Sequence, residues 1–397
     1  MRHLLGLLVL FFCVFATPAA AGVADERTRI VVDMRGKAVT VPLVPRRVAT
    51  INDGFVEGVM THLGVIDTLA AIGSWGMKRD YRYEFTARSG ETYEYRGLST
   101  MKFLHPWLDD LPIVNSPQGN VLNFEVLAKA EPDLVILRVG DCTVGAGNRE
   151  AIDKTINTIE ALGLPLLVLY APNAFGGADL SGMRQEMAVI GEAFEQQEKA
   201  LALADRLAGV EAMIRVRTQD IPEAERVSLL YFGLHPTIRS AGGAGSVWGL
   251  DSPESYLIEQ VANARNAFSG RGHGVPMSAE QIYALDPDVI VLPTAGGYHP
   301  ARELYEAPYY ANLAELRAVK ARRVYAMPWT PMNCARRLEY PLDMLIIAKA
   351  AYPERFRDVS VYDKALQLYK DLYHVDDATA QGLAATQLLE WMIPAGF

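Results

Sequence analysis

EPDLVIL at 131–137 and DPDVIVL at 286–292 write one short pattern twice, an acid, Pro, Asp and four apolar residues, at a spacing of 155. Each copy follows a helix-like stretch, NFEVLAKA (123–130) and SAEQIYAL (278–285), and each runs into a loop, RVGDCTVGAG (138–147) and PTAGGYHP (293–300). The unit in both places is helix, Pro-Asp turn, buried strand, loop. Continuous apolar runs of this length, bounded by turn residues and alternating with helices, predict parallel strands covered on both faces. Loops leaving the carboxyl ends of such strands are where open α/β sheets bind ligands.

The doubling reaches beyond seven residues. RRVATI (46–51) reads as a strand, NDGFVEGVMTHLG (52–64) as a helix closed by Gly64, and IDTLAAIGSW (66–75) as a second short strand unit. In the second half RVSLLYFG (226–233) is a strand, SPESYLIEQVAN (252–263) opens like a capped helix, and 266–281 lead to the repeat. Between the halves, residues 181–220 are rich in Ala, Glu, Gln, Leu and Met, with apolar residues at helical spacing (Met187, Ile190, Ala193, Phe194, Ala200, Leu201, Ala204, Leu207). One long helix, or two nearly collinear ones, is expected there. The fold class that follows is α/β, two Rossmann-like lobes (22–180 and 221–397, the second with a helical tail) joined by a stiff helix, with a ligand cleft between them. One stretch breaks the symmetry: 78–110, polar and aromatic-rich, is either a mobile excursion or a wall of a binding site.

The amino terminus sets the compartment. Arg2 precedes the apolar run LLGLLVLFFCVFA (4–16), followed by small residues at Ala19 and Ala21. This is the pattern of a secretory signal peptide, 1–21, cut after Ala21, and a soluble exported, periplasmic protein is expected. Removing it takes Arg2 from the 38 Lys+Arg and leaves 47 Asp+Glu untouched, so the mature surface is acidic and a poor partner for nucleic acid or anionic lipid. Cys142 and Cys334 remain, one in each half, and are read as two free thiols, although an oxidising compartment permits a bridge between them.

Five stretches in order, PRRVATINDGFVEGVMTHLG, NFEVLAKAEPDLVIL, AEQIYALDPDVIVL, LRAVKARRVYAMP (316–328) and YPERFRDVSVYDKALQLYKDLYHVD (352–376), resemble the substrate-binding proteins of ABC importers for ferric siderophores, haem and cobalamin. The resemblance implies a monomer that holds its ligand between two lobes, closes only slightly, and delivers the ligand to a membrane permease and its ATPase without chemistry or a resident cofactor. It also implies an acid near the first helix of each lobe that contacts the permease; Glu57 matches in the first lobe and Glu254 in the second, with Glu259 as a rival. Acids favoured by the helix dipole are the plain alternative for both.

Metal chelates offer flat apolar faces and anionic oxygens, so a site for them wants aromatic contact and guanidinium groups. The first lobe offers Trp75, and Arg138, Asp141 and Cys142 after the repeat strand; the second offers Arg239, Trp248, Tyr298, His299, Trp329, Arg336 and Arg337. Core packing is the alternative for each Trp and a surface ion pair for each Arg, with the loop position of Arg138 favouring ligand contact. The cargo expected is a ferric siderophore, with cobalamin or haem as the alternative within the same class. A bare zinc or manganese site would draw on His299 and Cys334, but the histidines fall without metal-ligand spacing. A two-lobed metallocluster enzyme or scaffold would need more than two cysteines, and GAGSVWG (243–249) is not a nucleotide loop.

Overall fold

The computed structural model describes residues 27–115, 121–172, 174, 180–234, 238, 244–293, 300–329 and 337–397, and the expected signal peptide lies outside them. Both copies of the repeat become interior strands. In the first lobe Val48–Ile51 (β3), Leu69–Ala71 (β4), Leu134–Val139 (β7) and Leu166–Tyr170 (β8) form a parallel sheet in the order β4-β3-β7-β8. In the second, Ser228–Gly233 (β9), Gly245–Val247 (β10), Val275–Met277 (β12), Val289–Leu292 (β13) and Val324–Ala326 (β14) run in the order β12-β10-β9-β13-β14, with Arg265–Asn266 (β11) also pairing β9. Here β13 is parallel to both neighbours, and β10 is antiparallel to β9 and β12.

The repeated acid-Pro-Asp does the same work in each lobe. Glu131 and Asp286 take left-handed backbone (φ 46° and 33°), which ends the preceding helix and turns the chain into the strand. The second acid then ties down the neighbouring strand's start. Asp133 accepts from the amides of Arg46 and Arg47 at 2.8 and 3.0 Å and donates its own amide to the Arg47 carbonyl at 2.8 Å. Asp288 accepts from the Ser228 amide at 2.9 Å and donates to the Ser228 carbonyl at 2.8 Å. The duplicated stretch is thus a device for starting two adjacent parallel strands in register.

Between the lobes, Gly182–Ala193 (α5) and Gln197–Thr218 (α6) are not collinear. The chain reverses through Phe194–Gln196, with Glu195 at φ 57°, and α5 folds back along α6. Arg184 pairs with Asp205 at 3.1 Å, and a Cβ on Gly191 would stand 2.6 Å from that of Ala200. Only α6 remains as the connecting rod, 22 residues or about 33 Å at 1.5 Å per residue. Its far end joins the second lobe through Glu211 and Arg215 to Tyr256, both at 2.9 Å.

The stretch 78–110 is neither loose nor loop-like. Asp80–Thr86 (β5) and Thr92–Leu98 (β6) form an antiparallel hairpin that leaves the first lobe and lies on the second. Tyr83 and Phe85 are buried in one cluster with Leu230, Phe232 and Leu304. At the tip the Arg88 amide donates to the Glu306 carbonyl at 2.9 Å, and its guanidinium donates to the Tyr305 carbonyl at 2.7 Å. At the base Gln387 donates to the Leu98 carbonyl at 2.8 Å.

The carboxyl-terminal tail crosses the other way. Helix Val361–Tyr373 packs on Phe55–Leu63 (α1), where the His62 and His374 rings sit 4.7 Å apart and His62 Nδ1 meets the Leu372 carbonyl at 2.9 Å. Burial keeps His62 neutral, its pKa pushed down to about 4. No helix among the described residues is long and apolar enough to cross a membrane.

Candidate functional site

The carboxyl ends of β3, β4 and β7 meet the segment after β14 around one residue, Asp53. In NDG (52–54), Asn52 accepts from the Val56 amide in the first turn of α1 at 3.1 Å, Gly54 takes the N-cap position, and Asp53 stands just past the strand. The Asp53 amide donates to Asp141 at 2.9 Å, and its carboxylate accepts from the Ser74 hydroxyl at 2.8 Å. From the other lobe, Arg337 donates Nε to the Asp53 carbonyl at 2.7 Å and Nη2 to its carboxylate at 2.8 Å. Gly54, at φ 96°, leaves room for that approach; a Cβ there would lie 3.3 Å from Arg337 Nε. Both side chains are nearly closed to solvent, 10% and 0% exposed, so this is a desolvated ion pair spanning the lobes.

Asp141 anchors the loop after β7. Its carboxylate accepts from the amides of Thr143 and Val144 at 2.8 and 3.1 Å, beside Gly140 at φ 95°. Burial raises its pKa to about 7.

Cys142 follows, and it is disulfide-bonded; its partner lies outside the described residues. The expectation of two free thiols is therefore corrected at Cys142.

Next to this network runs a row of rings. Half-buried Trp75 follows β4, and Arg79 places Cζ 5.2 Å from the Trp75 ring centre and 5.4 Å from that of Tyr81. Tyr81 lies 5.5 Å from Trp329, which follows β14. The row thus runs from the carboxyl edge of one sheet to that of the other. Trp329 itself is fully buried beneath the hairpin, facing Gly97, where a Cβ would come within 2.3 Å of the indole.

Of the residues singled out in the sequence, Trp75, Asp141, Trp329 and Arg337 converge here. Trp248 lies apart in the second lobe, buried edge-on against Tyr231 with ring centres 5.3 Å apart. Arg239, Tyr298, His299, Cys334 and Arg336 lie outside the described residues.

Three expectations meet a different geometry. Arg138 is wholly buried on β7, not on a loop; it forms a two-pronged pair with Glu186 of α5 at 2.5 and 3.0 Å, and its Cζ lies 4.1 Å from the Phe55 ring centre. It faces the helix layer and presents no group to a ligand. Glu57 is equally buried, accepting from Thr50 Oγ1 and from Asn52 at 3.0 Å, and burial raises its pKa. Glu254 is 6% exposed. As placed, neither acid offers a surface carboxylate to a permease.

Sequence reasoning passed over Asp53, Ser74, Arg79 and Tyr81. The signal was present for two of them, since WGMKRDY (75–81) sets a cation between two aromatic residues at short spacing. Among the described residues, no group of three or more His, Cys, Asp or Glu side chains is arranged to hold a metal ion.

A model of the periplasmic binding protein family matches residues 94–330, more than half of the chain. The chain belongs to that family. No curated protein sequence matches it. Among solved structures, a periplasmic solute binding protein from Veillonella parvula superposes with a TM-score of 0.72 at 20% identity, covering 94% of this chain and all of the other. A molybdate periplasmic binding protein of Haemophilus influenzae aligns at 0.60 and 19% over 88% of this chain and 98% of that one. A periplasmic haem binding protein from Pseudomonas aeruginosa aligns at 0.52 and 19% over 78% and 94%. At these identities the likeness is one of fold, the two-lobed α/β architecture.

Proposed function

We propose that this periplasmic binding protein captures a metal chelate, a ferric siderophore, in the cleft between its lobes and hands it to an ABC permease. The observation that carries the reading is the row Trp75, Arg79 and Tyr81, backed by buried Trp329, which joins the strand ends of both lobes. Ring faces suit the apolar shell of a chelate, and a guanidinium suits its oxygens. Arg239, Tyr298, His299 and Arg336 complete the proposed lining from the second lobe, while Arg138 is left out because its charge is met by Glu186 and Trp248 because it is buried against Tyr231. Buried Asp53, Asp141 and Arg337 set the relative position of the lobes beneath the ligand. Export through the sequence at 1–21 and action as a monomer belong to the same reading.

Uptake tests it directly. A strain lacking this gene, supplied with radiolabelled iron as a panel of siderophore complexes, is expected to lose accumulation of at least one complex and recover it on complementation. Unchanged uptake of every iron complex, with loss of cobalamin or haem uptake instead, would replace the cargo; no transport defect of any kind would remove the role.

A further inference from the structure

Arg79 is an exposed cation with no ionic partner among the described residues. The adjacent acid, Asp80, pairs instead with Lys102 at 2.8 Å, and Lys102 also reaches Asp109 at 3.1 Å. The guanidinium is nevertheless not free to wander, because Trp75 and Tyr81 hold it on their faces at 5.2 and 5.4 Å. An arginine stacked in this way keeps its N–H edge available in one plane while its rotamers are already restricted. Both rings are fixed in turn. Trp75 opens the short helix Trp75–Lys78, whose preceding Ser74 accepts from the Gly76 amide at 3.1 Å and donates to Asp53. Tyr81 is backed by Trp329 and borne on the hairpin strand β5.

We infer that Arg79 reads the charge of the cargo: its stacked guanidinium donates to anionic oxygens on the chelate, so that anionic complexes are preferred to uncharged ones of similar size. The assignment rests on the proposed function above and names a residue and a chemical class within it. Its position supports this, since the stack bridges the carboxyl edges of both sheets, where a ligand touching the two lobes must pass. The stack also differs from an ordinary surface cation, which would be mobile or paired with a nearby acid.

The test is titration of the full mature protein, as wild type, Arg79→Gln and Arg79→Lys, with an anionic ferric tris-catecholate, ferric citrate and an uncharged ferric tris-hydroxamate. Because Arg79 is exposed, equal thermal midpoints are expected for all three proteins. The prediction is that Arg79→Gln weakens binding of the anionic probes by about tenfold or more, with Arg79→Lys between, while any hydroxamate affinity stays within about twofold. Anionic complexes bound equally by wild type and Arg79→Gln, or wild type binding only the hydroxamate, would overturn the charge-reading role and leave the transport reading standing. Wild type binding none of the iron probes would overturn both.

Discussion

Arg138 sits next to last in β7, at the end of a run whose other members are all apolar, and its side chain turns into the layer between that sheet and α5. A cation there is compensated by Glu186, which meets two of its nitrogens, and by Phe55, which covers its face. Arg138→Ala is expected to lower unfolding free energy by about 3–5 kcal/mol, because it strands a buried carboxylate. Denaturant unfolding checks this, and a loss below about 1 kcal/mol would mark the pair as solvent-screened. The sequence hid this because strand length, not residue type, decides whether the position falls on the strand or on the loop after it. Glu57 was hidden for a similar reason. An acid in the first turn of a helix normally faces water, but here Thr50 and Asn52 turn inward with it. By contrast, Asp133 and Asp288 were legible as turn residues from the Pro-Asp pattern alone, since their task is local in sequence and in space.

At the level of elements, the hairpin β5–β6 ties the lobes together. Its alternation is visible in retrospect: Tyr81, Tyr83 and Phe85 share a face with Tyr93, Tyr95 and Gly97, and Arg82, Glu84, Glu94 and Arg96 take the other. What the pattern lacks is the partner surface, Leu230, Phe232 and Leu304, which lies some way along the chain in the other lobe. Gly97 is the position that lets β6 lie flat on Trp329. Gly97→Ala is expected to cost about 1–3 kcal/mol by overpacking and to raise hydrogen exchange across residues 80–98 ahead of the sheets; unchanged exchange there would mean that the hairpin is not seated on the indole. The reversal at Phe194–Gln196 was likewise illegible. Helix formers continue on both sides without Pro, Gly191 stands inside α5 and not at the turn, and it is the packing of α5 on α6 that requires the reversal.

For the whole molecule, the parts read most securely were those encoded twice: the interior parallel strands β7 and β13 and the helix, turn and strand order around each. The ties between lobes are encoded once each and at long range. They are the rod α6, the hairpin, the returning tail at His62 and His374, and the Asp53–Arg337 pair. Together they fasten the two lobes to each other at several places, and under the proposed function this would limit the ordering cost of binding. The measurement that bears most directly on this account is native mass spectrometry of the mature protein recovered from its own exporting cells, compared with the denatured chain. A non-covalent adduct with an iron isotope pattern and the mass of an organic chelate is the predicted result. A bare metal mass, or no adduct after exposure to the ferric probes, would contradict it.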